Sequence, residues 1–119
     1  MNEENKRLGK DILVEMSFLL PEDGGRTTIV TSGYRPQFFY NNHDWDAQHD
    51  YIDVEDVYPG DTVKAYITFM SPQEHFGKLK SGDHFLIREG RRVIAFGHIL
   101  EIIELEASAQ RIKDINKKK

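Results

Sequence analysis

One stretch of this chain gathers most of the residue types that bind metals or move protons. His43-Asp44-Trp45-Asp46-Ala47-Gln48-His49-Asp50 holds two histidines and three aspartates in eight residues. Such donors suit zinc or a harder cation when they converge on one point. Their spacing follows no metal-binding motif, so the stretch reads as a solvated acidic loop holding no metal. His75, His84 and His98 are scattered and read as surface or barrel-flank residues. There are no cysteines, which excludes a thiolate metal site, a disulfide scaffold and a cysteine nucleophile. No G-x-S-x-G elbow, H-E-x-x-H helix or G-x-x-x-x-G-K-[ST] phosphate loop occurs. The reading is a non-enzyme with no cofactor and no GTP or GDP site.

What remains is binding chemistry. Net charge is -4, which argues against a general nucleic-acid binder. The charge is unevenly spread. From Pro36 to Val63 there are seven acids (Asp44, Asp46, Asp50, Asp53, Glu55, Asp56, Asp61) and no Lys or Arg. Arg88, Arg91 and Arg92 cluster elsewhere, and Lys117-Lys118-Lys119 ends the sequence. The aromatic group Phe38, Phe39, Tyr40, Trp45 and Tyr51 could stack on bases. Alternation sends Phe38 and Tyr40 to one face, which must be core. In acidic company, Phe39, Trp45 and Tyr51 read instead as candidates for a protein interface.

The elements that must position these residues are mostly strands. The chain has 119 residues, enough for one domain. Ile12, Val14, Met16, Phe18 and Leu20 fall on one face, with Asp11, Glu15 and Ser17 between them, which predicts a strand. Thr27–Thr31, Gln37–Tyr40, Tyr51–Val54, Val63–Phe69, Phe85–Ile87 and Val93–Leu105 complete the set, with Asn41–Asp50 and Ser71–Gly82 as loops. Pro59-Gly60-Asp61 suits a type II turn, and Glu89-Gly90-Arg91 a hairpin. Close-set strands with no helical period between them predict an all-β sandwich or small closed barrel. The expected core is Ile12, Val14, Met16, Phe18, Val63, Ile67, Phe69, Phe85, Ile87, Ile94 and Phe96. Leu105, Ala109, Ile112 and Ile115 recur at helical spacing, which predicts a helical finish of a turn or two. No apolar run exceeds four residues, too short to span a bilayer.

Gly24-Gly25-Arg26-Thr27-Thr28, followed by Gly33-Tyr34-Arg35-Pro36-Gln37-Phe38, resembles the C-terminal (third) domain of elongation factor Tu. That family reads G-G-R-x-T and then G-Y-R-P-Q-F at the same separation. Pro59-Gly60-Asp61 with Val63, Ile87-Arg88-Glu89-Gly90 with Arg92, and Gly97 keep the family's order. The resemblance covers roughly residues 10 to 104. It implies an all-β fold, a six-stranded antiparallel closed β-barrel over residues 10–105, between an N-terminal tail (1–9) and a basic C-terminal tail (106–119). It also implies three jobs: packing on a GTPase domain, touching the backbone of aminoacyl-tRNA, and helping to hold a nucleotide-exchange factor. By position, Arg26 and Gln37 match motif residues near the tRNA backbone. This chain has Thr27 where the bacterial factors usually carry His. It has Asn41-Asn42-His43-Asp44 where the family continues R-T-T-D, losing a basic residue.

The expected function is a stand-alone, cytoplasmic binding module associated with translation. Its expected partner is a protein, with tRNA bound weakly and no membrane. The alternative is a decoy or immunity-type protein that copies the elongation factor's surface to occupy a toxin or other protein.

Overall fold

Ile12, Val14, Met16 and Phe18 all point inward from β1 (Ile12–Phe18), while the residues between them are half-buried. The computed structural model describes residues 10–117, and the expected tail 1–9 lies outside the described residues. Along the chain follow β2 (Val30–Thr31), β3 (Gln37–Tyr40), β4 (His43–Tyr51), β5 (Asp56–Val57), β6 (Thr62–Phe69), β7 (His84–Glu89) and β8 (Arg92–Ile102). Six of them close into an antiparallel barrel in the order β1-β6-β4-β3-β7-β8, with β8 returning to β1. The pair β2-β5 forms a separate small antiparallel sheet.

The barrel interior is filled around Phe38. Its ring stacks on Phe85 at 4.4 Å and meets Phe69 edge-on at 5.0 Å. Gly97 faces inward beneath Phe85, where a Cβ would fall 2.3 Å from the Glu15 carbonyl oxygen and 2.8 Å from both Met16 and Phe85. Of the expected core, nine residues are buried and Val63 is half-buried. Phe96 is 50% exposed, which corrects its assignment to the interior. The cause is an extra residue in β8. Ile87 pairs with Ala95 but Arg88 with Val93, so Ile94 is additional and the alternation changes phase. Ala95, Gly97 and Ile99 then face inward, and Phe96 faces out.

The acidic stretch is also corrected. It is not a loop but β4, nine residues long, entered through a tight turn at Asn41 and Asn42. Both asparagines have positive φ (50° and 64°), which asparagine tolerates well and tight two-residue hairpins require. Tyr51 ends this strand rather than beginning another. The expected strand at Thr27–Thr31 shrinks to Val30–Thr31. The helical finish is longer than expected: α1 (Leu105–Lys117) runs for 13 residues. It buries Leu105, Ser108 and Ala109, and the Ser108 hydroxyl donates to the buried Asp11 carboxylate. The other Asp11 oxygen accepts the Phe69 N–H. Burial pushes the Asp11 carboxyl above its ordinary value despite those two bonds. Among the described residues no helix is long and apolar enough to cross a membrane.

Two histidines are fully buried. His49 lies inside the barrel and shares a hydrogen bond with the Tyr51 hydroxyl (3.0 Å). His75 was expected at the surface. Instead it caps the barrel, stacked on Phe69 (4.0 Å), edge-on to Trp45 (4.6 Å) and hydrogen-bonded to the Tyr40 hydroxyl. Burial pushes His49 down to about 3; burial, helped by Lys78, pushes His75 down to about 4.

Two predictions follow from this interior. Gly97→Ala should destabilise the protein by about 1–3 kcal/mol in urea titrations, since backbone and core atoms must move to admit the methyl group. Stability should also fall with pH. Both imidazoles have folded values below the unfolded value of about 6.5, so below that pH the unfolded chain binds protons that the folded one refuses. Between about 6.5 and 4, each should remove up to about 1.4 kcal/mol per pH unit, measured as the shift in urea midpoint. Replacing His49 and Tyr51 together by Phe, which removes both polar partners, should take one proton's worth from that slope.

Candidate binding surface

The G-G-R and G-Y-R-P segments meet at one corner of the barrel. Gly25 must be glycine, because a Cβ there would lie 2.1 Å from the Leu19 carbonyl oxygen. The chain therefore passes close to the end of β1 and delivers Arg26 to Glu89 at the end of β7. Gly33 N–H donates to His49 and His49 N–H donates to Tyr34, so the second segment lies along β4. Pro36 has no N–H to offer, but its carbonyl accepts from Ala47. Tyr34 is thereby aimed at the same carboxylate, to which its hydroxyl donates. Arg92 adds a third donor at 3.2 Å. Burial pushes Glu89 upward, but the Tyr34 hydroxyl and the Arg26 and Arg92 guanidinium groups outweigh it and hold the carboxyl below its ordinary value. The Tyr34 hydroxyl is pushed upward by burial and by Glu89.

A second feature runs across the outer wall. Asp44 pairs with Phe39, Phe39 with Leu86, Leu86 with Phe96, and Phe96 with Ser17. All five side chains lie on the outward face, so Phe39, Leu86 and Phe96 form one apolar row over β3, β7 and β8. Adjacent strands are about 4.8 Å apart, so the row spans about 10 Å. The Arg88 guanidinium lies 4.3 Å above the Phe39 ring and 3.4 Å from Asp44.

The structure brings some expected site residues together and separates others. Arg26 reaches β7 through Glu89, and Gln37 sits opposite Arg88, so both lie at the same end of that strand. Phe39 is outward and half-buried under Arg88. Trp45 is on the opposite, inward-facing side, because its partner is the core residue Phe38. Tyr51 is buried beside Phe18 and offers no surface to a partner. On β4 the two histidines take one face and Asp44, Asp46 and Asp50 the other, so these donors diverge. Among the described residues, no three His, Cys, Asp or Glu side chains are grouped to hold a metal.

Sequence reasoning missed Glu89, Leu86 and Phe96 as surface features. Glu89 was read only as a turn residue; its partner Arg26 is 63 residues away. Leu86 was legible by alternation with Phe85 and Ile87.

The closed barrel, its corner network and its outer apolar row define a small antiparallel β-barrel domain. The family model for the elongation factor Tu C-terminal domain matches residues 9–103. The chain belongs to that family, and α1 lies beyond the matched residues.

The corner network yields a further prediction. Glu89→Ala strands the Tyr34 hydroxyl and leaves Arg26 without its partner. It should cost about 1–3 kcal/mol of stability in urea titrations. Arg92→Ala removes only a half-exposed ion pair and should cost under about 1 kcal/mol.

Proposed function

We propose that this chain is a translation-associated binding module that docks a protein partner on its outer wall and meets tRNA only weakly. The observation that carries the reading is the row Phe39–Leu86–Phe96, with Phe96 half-exposed and Arg88 stacked on Phe39. Aromatic and arginine side chains dominate protein hot spots. An apolar row is otherwise a cost on a water-facing wall.

The disposition of charge supports weak RNA binding. Arg26 is already committed to Glu89, and Arg88 is shared with Asp44. A guanidinium balanced by a carboxylate releases fewer counterions from a phosphate backbone. Asp46 stands opposite Gln37 and repels phosphate at the second position. Aminoacyl-tRNA should therefore bind no tighter than about 10⁻⁴–10⁻⁶ M at physiological salt.

The decisive experiment is affinity purification from the native host with bound protein and RNA both identified. A stoichiometric protein should be recovered by the wild type and lost with Phe96→Lys. Filter binding at moderate salt supplies the other arm: tight, saturable tRNA binding abolished by Arg26→Ala would overturn the reading. Calorimetric titration with GTP or GDP should show no saturable binding.

A further inference from the structure

The small β2-β5 sheet carries a second apolar face. Val30 and Val57 pair and are both buried, so the residues flanking them face outward. Carrying the register on by one residue sets Ile29 across from Tyr58, and both are exposed, at 38% and 58%. Leu20 joins them at 42% exposure. Its side chain lies against the Tyr58–Asp61 turn: a Cβ on Gly60 would come 2.8 Å from Leu20 Cδ2, and the Asp61 N–H donates to the Tyr58 carbonyl.

The rim of this face is acidic. Glu22 and Asp23 follow Leu20, Glu55 and Asp56 precede Tyr58, and Asp61 accepts the Tyr58 N–H at 2.9 Å. None of these five carboxylates forms an ion pair with a described residue. The sequence supplies no Lys or Arg from Pro36 to Val63 to neutralise them. Uncompensated carboxylates around an apolar centre repel an acidic surface and attract a basic one, which also raises the encounter rate. A second copy of this chain would present the same acids and be repelled.

We propose that the face formed by Leu20, Ile29 and Tyr58 docks a basic amphipathic segment of a partner protein. Apolar side chains of that segment cover Tyr58 and Ile29. Its Lys and Arg residues meet Glu22, Asp23, Glu55, Asp56 and Asp61. This contact is separate from the wall around Phe96.

The test uses the full chain and two synthetic helical peptides, one of leucine and lysine at amphipathic spacing and one with glutamate replacing lysine. Calorimetry should show saturable binding of the lysine peptide, weakened by added salt, and none of the glutamate peptide. Tyr58→Ala and Asp56→Lys should each weaken it about tenfold or more, a loss of about 1.4 kcal/mol. Both positions are exposed, so urea midpoints should stay near wild type and separate lost binding from lost folding. Phe96→Lys should leave peptide binding unchanged. Equal binding of both peptides, or no effect of Tyr58→Ala and Asp56→Lys, overturns the proposal. Equal loss with Phe96→Lys also overturns it, by moving the site to the outer wall. Self-association abolished by Tyr58→Ala in sedimentation overturns it in favour of a second copy.

Discussion

Closure of the barrel rests on β8, which must bond to β7 along one side and β1 along the other. Unlike β1 and β6, which are also paired on both sides and alternate throughout, β8 breaks its alternation twice. It takes an extra residue at Ile94 against β7 and another at Leu100 against β1, where Leu13 pairs with Glu101 but Val14 with Ile99. Between those points Ala95, Gly97 and Ile99 line the interior, and Gly97 leaves room for Phe85 and Met16. The same phase change puts Phe96 on the outside. The outer apolar row is therefore a consequence of how the barrel closes.

This explains what was legible in the sequence. β1, β6 and β7 keep a strict period of two, so their buried residues could be read directly. β8 begins with the consecutive apolar residues Val93-Ile94-Ala95-Phe96, in which either register looks hydrophobic. Only the partners' pairing decides it. β4 was hidden for another reason: its outward residues are acids, and its inward positions include two histidines, where hydropathy shows no strand. The pattern is still present in Ala47, His49 and Tyr51, and the Asn-Asn turn before it is a hairpin signal of its own.

The corner network shows why a motif could be recognised before its physical role was known. Gly25 allows the chain to pass Leu19, Arg26 and Tyr34 converge on Glu89, and the Gly33–Pro36 segment extends the pairing of β4. Arg26 and Glu89 are far apart in sequence, so no local pattern could pair them. Once paired, they alter the functional reading. The Arg26 guanidinium is part of the structural corner, with Tyr34 sharing its carboxylate.

A closed barrel also restricts how binding can occur. All six of its strands are paired on both sides, so no edge is left to accept a peptide as an added strand. Recognition must come from side chains on the faces, and these faces differ. The outer wall combines Phe39, Leu86 and Phe96 with an arginine whose charge is partly matched by Asp44. The face around Tyr58 has a rim of acids that form no ion pair with a described residue. In the first, apolar side chains sit among charges that already balance one another. In the second, the nearby charge is negative throughout. The two faces therefore differ in electrostatic character, one largely compensated by the Arg88–Asp44 pair and one acidic.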